Sequence, residues 1–481
     1  MRRWSSAGVL GLCCALSALT CAPRVAEAPL PTSRVVFRQV PIGSCEDYPE
    51  EMRSIEGARR DFEALQAMGV HTLRVSLGWD ELEPARDQYE FGFWDAFVEL
   101  AGAHEIELIP YVAYTPEWNA SGGGPGDFWR SPPRDLDQFA ELMGLLAARY
   151  RGRIRSWELW NEPDNRDYWR GSVAEYAELL RRGADAVHAV DERLAVVSGG
   201  LAGHLEFLDE LFEQQDAARF VDVVNLHAYY ETWNPEPLEA LSGYVAAASE
   251  LVQRHGGRQS LWAAEVGYSD FRDGPRVSDA TSAWYVHEHT LEYQAVVLVR
   301  TLTLLLSSPS ISLIAWYELK DLPAAAAVIG DANNRHLGVL FSDDRAKPAR
   351  AALAWMVRSF GDGFQPLTEG LQVEPARSAN SAARQLYAFL TPRRSVLVIG
   401  WLAKPAAPPV GSAPGGARDE RRDALLLRLP YAARSSALRF DALGRELGPA
   451  PWRALPGATE LQLELRGDDV EIVELPVRAG G

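Results

Sequence analysis

The chain has 481 residues, of which 47% are hydrophobic, and a formal net charge of -18. That length exceeds one ordinary domain and points to two, with enough apolar content for large cores. The acidic balance disfavours nucleic acid and anionic membrane surfaces as partners, and suits an enzyme working on a neutral oligosaccharide or polysaccharide. The 15 tryptophans fit the same picture, since indole rings serve as stacking platforms for sugars as well as core filler.

Residues 1–28 read as an export signal. Arg2 and Arg3 precede an apolar run from Ala7 to Leu19 that is too short to cross a bilayer as a permanent helix. Ala18-Leu19-Thr20-Cys21 resembles a bacterial lipoprotein box and makes Cys21 the candidate for lipidation. Cleavage after Ala26-Glu27-Ala28 is the alternative, and an uncleaved anchor a third. The expected location is outside the cytoplasm, on the cell envelope or secreted, with any membrane contact made through an N-terminal lipid. After processing only Cys45 is certain to remain, which leaves no disulfide framework and no thiolate metal site.

From about residue 33 strands and helices alternate. Strand patterns fall at Val35–Ile42, Thr72–Leu77, Glu107–Val112, Ile154–Trp160, Ala195–Ser198, Val221–His227, Leu261–Glu265 and Ile311–Trp316. Helical periodicity occupies Ile55–Met68, Asp95–His104, Leu136–Tyr150, Val173–Val190, Leu241–His255 and His287–Leu306. Eight strands with intervening helices predict an α/β fold, a (β/α)8 TIM barrel spanning 33–360. A doubly wound open sheet would want a Gly-rich phosphate turn after a strand, and none is seen. Past Phe360-Gly361-Asp362-Gly363 the pattern changes to short alternating runs between turns, predicting a small antiparallel β-sandwich over 364–478. Within it Pro405–Asp419, rich in Pro, Gly and Ala, reads as a flexible hairpin insert. No metal-ligating cluster stands out, and neither metal nor cofactor is expected.

The chemistry concentrates at two strand ends. In Trp157-Glu158-Leu159-Trp160-Asn161-Glu162-Pro163 the proline stops the strand and leaves Glu162 at its C-terminal lip. Leu261-Trp262-Ala263-Ala264-Glu265 ends a second strand in the same way. Barrel enzymes keep their catalytic groups at such ends, and two carboxyls about 5–5.5 Å apart are the apparatus of retaining glycoside hydrolysis. Counted along the chain these are strands four and seven, facing across the barrel mouth. The negative charge of Glu265 is expected to raise the pKa of Glu162 and keep it an acid. Arg74, on an apolar strand, needs an anionic partner, either Glu265 or a structural carboxylate. Glu158 shares a strand face with Glu162, placing it to orient the acid or to make a strand-to-strand ion pair. Trp118, after Pro116, reads as a sugar platform or as packing.

The segments Trp160-Asn161-Glu162-Pro163 and Trp262-Ala263-Ala264-Glu265-Val266-Gly267-Tyr268 resemble glycoside hydrolase clan A, the retaining (β/α)8 enzymes. The resemblance implies Glu162 as acid/base, Glu265 as nucleophile and Asn161 as partner of the sugar 2-hydroxyl. It also implies Arg74 near the nucleophile, His227 and Tyr229 beside it, and Trp316 as the floor of the sugar subsite. Tyr114-Thr115-Pro116-Glu117-Trp118, Leu337-Gly338-Val339-Leu340 and Lys347-Pro348-Ala349 are most similar to family 39, which includes β-xylosidases and envelope-polysaccharide endoglycosidases. The implied activity is cleavage of O-glycosidic bonds in an oligo- or polysaccharide by double displacement. The competing reading is a catalytically silent carbohydrate-binding envelope protein on the same barrel.

Overall fold

Eight parallel strands close into a barrel in chain order: β1 Ile42–Glu46, β2 Thr72–Gly78, β3 Glu107–Ala113, β4 Ser156–Leu159, β5 Ala195–Ser198, β6 Val223–Ala228, β7 Ser260–Val266 and β8 Ile311–Trp316. The computed structural model describes residues 36–49, 53–326, 328–375, 377–405 and 417–478. The signal segment with Cys21 lies outside them, as does most of the Pro405–Asp419 insert. From Phe37 onward the described residues form one compact unit.

Seven of the eight barrel strands fall where the apolar runs put them. The first does not. β1 is Ile42-Gly43-Ser44-Cys45-Glu46, downstream of the Val35–Ile42 run, and all five residues are buried. A strand enclosed on both faces can be made of small residues, which gives it no hydrophobic signature. The crowding is real: a Cβ on Gly43 would sit 2.8 Å from the Thr72 carbonyl oxygen. Cys45 faces the barrel interior with Ile109, Ala264, Leu313 and Ala315. The large cluster between sheet and helices takes the opposite face of the same strands, including Ile42, Ile314 and Trp316.

Helix ends follow local chemistry. The helix Ile55–Met68 starts at Ser54, whose side chain accepts from Gly57 N, and stops at Gly69 with φ 77°. Ser172 and Glu175 form a reciprocal capping box on Val173–Val190. The helix Leu291–Ser307 is capped by Thr290 and has nearly every residue buried. The barrel covers one of its sides, and Arg300 on another donates to the carbonyls of Gly467 (2.9 Å) and Asp469 (2.8 Å) in the C-terminal region. Helices at Leu205–Glu213 and Pro348–Phe360 complete the ring. The first is short and the second opens on a proline, so neither stood out from its periodicity.

The C-terminal region is two antiparallel sheets. One has four strands, in the order Gln372–Glu374, Arg422–Leu429, Ala458–Arg466, Trp452–Leu455. The other has six, with Ser395–Leu402 between Glu471–Pro476 and Arg384–Leu390. Leu425, Leu427, Leu461 and Leu463 of the first pack with Val396, Val398, Val473 and Leu475 of the second. Strand Arg422–Leu429 alternates exposed and buried residues as a half-buried strand should.

Candidate active site

The C-terminal ends of the strands open into a cleft of about 780 Å³ that contains Glu162, Glu265, Asn161, His227 and Tyr229. The site is built around Arg74 on β2. Its guanidinium makes two bonds to Glu158, Nε to Oε2 at 2.8 Å and NH2 to Oε1 at 2.9 Å, and a third from NH1 to Glu265 Oε2 at 2.6 Å. NH2 also reaches Asn161 Oδ1 at 2.9 Å, and the group lies 4.3 Å from the Tyr111 ring centroid. Both partners considered for Arg74 are therefore real, and Glu158 serves as its ion-pair partner. Arg74 is 1% and Glu158 0% exposed. Glu158 Oε1 also accepts from Gly200 N at 3.0 Å and Asn225 Nδ2 at 3.1 Å, so its buried charge is fully met.

Glu162 reaches the cleft by a sharp reversal. β4 ends at Leu159, and Trp160 (φ 81°) and Glu162 (φ 42°) both take left-handed backbone, rare for side chains of this kind. The turn is held from below: Trp160 N donates to Val112 O at 3.0 Å, and its indole N–H to Tyr168 O at 3.1 Å. Glu162 Oε2 accepts from Asn165 Nδ2 at 2.8 Å, and Oε1 lies 2.9 Å from His227 Nδ1. Its pKa is raised to about 7. Burial is the first cause; Asp167 and Glu158 add to it, while Asn165 and Arg74 oppose it. Burial is thus the main origin of the raised acid pKa, and the repulsion between the two carboxyls shows on Glu265, which Glu162 helps to push up.

Glu265 lies on β7 just past a register shift in the pairing with β6, with His227 as its Cα partner. Tyr229 OH donates to its Oε1 at 2.6 Å. Burial pushes the Glu265 carboxyl above its ordinary range, while His227, Arg74 and Tyr229 pull it back. Burial also raises the Tyr229 phenol well above its usual value, so it stays a donor.

His227 stands between the two glutamates, 2.9 Å from Glu162 Oε1 and 3.5 Å from Glu265 Oε2. Its tautomer follows from its neighbours. Asn225 Oδ1 accepts from Ala264 N at 2.9 Å, which turns the amide nitrogen toward His227 Nε2 at 3.4 Å. Nε2 is then the acceptor and Nδ1 carries the proton facing the carboxylates. Burial lowers the His227 pKa and keeps the ring neutral. The ring lies so close to Gly200 that a Cβ there would be 1.8 Å from Nε2.

Among the described residues, Glu162, His227 and Glu265 are also the group of potential metal ligands brought together, with one atom of each within 4.8 Å of the others. The sequence offered no such cluster, because the three lie on different strands. Their atoms are already engaged, and a cation there would lie against the Arg74 guanidinium on Glu265 Oε2. The donor set therefore suits proton transfer and carboxylate nucleophilic chemistry better than a divalent ion.

Two expected sugar contacts are displaced. Trp316 points away from the barrel interior and is wholly buried between sheet and helices. The next residue, Tyr317, takes the inward position and lines the cleft. Strand alternation carries that distinction, and a tryptophan at a strand end drew the eye one residue early. Trp118 is not among the residues lining the cleft. Its indole N–H donates to Glu83 O at 2.8 Å and its ring packs edge-on against Trp79 at 6.2 Å. Residues that sequence reasoning missed are Asp47 at the end of β1, Tyr114, Tyr168 and Asn165. Asn161 Nδ2 donates to Tyr114 OH at 3.3 Å, and Tyr111 OH to Asp47 Oδ1 at 3.1 Å. Asn165, three residues after Glu162 in the same turn, had a readable signal; Asp47 was hidden by the misplaced first strand.

Residues 32–254 match the model of glycosyl hydrolases family 39. A β-xylosidase from Caldicellulosiruptor saccharolyticus is 26% identical over 224 residues, a match spanning 43% of this chain and 44% of that protein. A family 39 glycoside hydrolase from Bacteroides cellulosilyticus WH2 superposes with a TM-score of 0.64 at 17% identity, covering 91% of this chain and 81% of that one. A monomeric β-xylosidase from Caulobacter crescentus CB15 gives 0.62 at 16% identity, over 92% and 97%. At such identity these structures speak to the fold. Over residues 32–254, a span that includes Tyr114-Thr115-Pro116-Glu117-Trp118 and Glu162 but ends before Glu265, the chain thus matches glycosyl hydrolases family 39.

Proposed function

We propose that the protein is a retaining O-glycosyl hydrolase acting on an oligo- or polysaccharide, with Glu162 as acid/base and Glu265 as nucleophile. The observation that carries this is the pairing of two buried carboxyls, with oxygens within 4.8 Å of each other, in unlike environments. A closest approach of that order fits the ~5–5.5 Å carboxyl spacing of retaining enzymes better than the ~6.5–9.5 Å of inverting ones. Glu162 has neutral partners and a pKa near 7, which suits protonation of a leaving oxygen at neutral pH. Glu265 faces Arg74 and Tyr229, which favour its ionised form.

Double displacement then follows. The Glu265 carboxylate attacks the anomeric carbon as Glu162 gives its proton to the leaving oxygen. Esterifying Glu265 removes the charge that balanced Arg74. The guanidinium field then acts more fully on Glu162 and favours its ionised form, a base for the incoming water. Asn161, held by Arg74, is placed to meet the sugar 2-hydroxyl. The family match and the β-xylosidase relative support a β-xylosidase-like substrate, and an envelope polysaccharide is the alternative that the sequence resemblance implies. Export, as a lipoprotein through Cys21 or as a secreted protein, is part of the proposal and rests on the N-terminal sequence pattern.

The test is a screen of a protein lacking residues 1–28 against aryl β-glycosides and plant and bacterial polysaccharides, with Glu265→Ala alongside. Turnover is expected to fall on the order of 10⁵-fold in that variant, with partial rescue by azide filling the vacated space. Retained turnover would refute the nucleophile assignment. Glycan binding by the parent without hydrolysis would favour the silent binding protein.

A further inference from the structure

We propose that Lys404, supplied by the C-terminal sandwich, is a positioning residue for one wall of the cleft. The proposal relies on the glycosidase reading for what the wall does, and on geometry alone for how the wall is held.

Lys404 follows strand Ser395–Leu402 and leaves the sandwich toward the barrel. Its Nζ lies 3.0 Å from Glu231 Oε2 and 2.7 Å from Glu288 Oε1, and 4.7 Å from the Trp284 ring centroid. The three charged side chains are 10%, 7% and 1% exposed, so two carboxylates share one ammonium almost without water. The carboxylates belong to the segments that follow β6 and β7, the strands bearing His227 and Glu265.

Glu231 is the fastening point of the first segment. It takes left-handed backbone, φ 58°. Its N donates to Asn234 O at 2.7 Å and its Oε1 accepts from Leu238 N at 3.1 Å. The span it ties together presents Tyr229, Trp233 and Asn234 to the cleft. Tyr229 is the donor to Glu265, and Trp233 packs edge-on against it at 4.7 Å. Just beyond, Glu239 accepts from the indole N–H of Trp401 at 2.7 Å, a second tie from the same sandwich strand. Glu288 Oε2 in turn accepts from Trp284 N at 2.6 Å and Tyr285 N at 3.3 Å. One ammonium thus pins both segments, and the sandwich is a structural part of the site.

Removing it leaves two buried carboxylates without a cation, which drives the segments apart and toward water. In Lys404→Met, amide hydrogen exchange in peptides covering 229–240 should accelerate about tenfold or more, with β1–β4 unchanged. The KM for the glycoside that the parent cleaves should rise more than kcat falls. A role confined to overall stability would lower the yield of active enzyme and leave KM unmoved. Lys404→Arg, which keeps a cation, should restore most of the exchange protection. Should Lys404→Met not fold, Glu231→Gln decides, with the same pattern at smaller amplitude. Unchanged exchange over 229–240, or an unchanged KM, overturns the proposal. If the parent cleaves no glycoside, the enzymatic reading fails while the exchange comparison still tests the clamp.

Discussion

The two glutamates of the cleft share a side chain, a burial and a pair of neighbours, yet they sit on opposite kinds of backbone. Glu265 projects from within strand β7, paired with His227 of β6 just past a register shift, and a cation and a phenol hold its oxygens. Glu162 hangs from a left-handed turn beyond the end of β4, and an amide and a neutral imidazole hold its oxygens. The partners of the first favour charge against the cost of burial, and those of the second tolerate a proton. The roles are thus assigned by partners and backbone, and the arginine placed on one side of the site creates the asymmetry.

The most severe way to erase that asymmetry is Arg74→Met. It strands Glu158 and Glu265 without a cation in the interior, and should cost about 3–5 kcal/mol of stability together with turnover. Chemical denaturation beside a rate assay checks it; a stable, active variant would mean the arginine is dispensable. Next is Glu162→Gln. On substrates with poor leaving groups kcat should fall about 10²–10⁴-fold, and far less on good ones. In the parent, activity should decline as pH rises through about 7 and the acid form is lost; the variant should lack that limb. Stability falls over the same rise in pH. The folded pKa of Glu162 is raised from 4.5 to about 7. Its favourable contribution is therefore full below 4.5 and lost as pH rises through 7, a difference of about 3 kcal/mol. Above pH 7 Glu162→Gln should be the more stable protein by up to that amount, and not at pH 4, as melts at the two pH values would reveal.

Smaller effects sharpen the contrast. Tyr229→Phe removes a charge-assisted bond to Glu265, which should lower kcat roughly tenfold or somewhat more. The low-pH limb, set by ionisation of the nucleophile, should move to higher pH. A profile that moves at its high-pH limb would assign Tyr229 to the acid instead. Trp118→Phe should cost about 1 kcal/mol through the lost bond to Glu83 and leave KM unchanged. A raised KM would return that ring to the cleft.

Much of this was written in local patterns. Pro163 announced the end of β4, Gly69 the end of the first helix, and the alternation of Arg422–Leu429 a half-buried strand. Glu162, Glu265, Asn161, His227 and Tyr229 all reached the cleft, with Arg74 buried against two of them, because each closes or lines a strand whose apolar run is readable. What failed depended on contacts between distant segments. β1 is made of small residues because its neighbours crowd it, so no apolar run marks it, and Asp47 went unseen with it. Trp316 and Tyr317 are adjacent in sequence and face opposite ways. The bond of Arg74 to both Glu158 and Glu265 needed the barrel to close before it could be counted, as did the origin of the Glu162 pKa.

Gly200 touches no sugar-facing surface of its own, yet it gives its N–H to Glu158 and its bare Cα face to the His227 ring. A single added methyl there would push the imidazole out from between the two carboxylates without altering any ionisable group. In a saturation-mutagenesis map of this protein, position 200 should therefore stand out as intolerant as the glutamates themselves, a residue whose contribution is the volume it leaves empty.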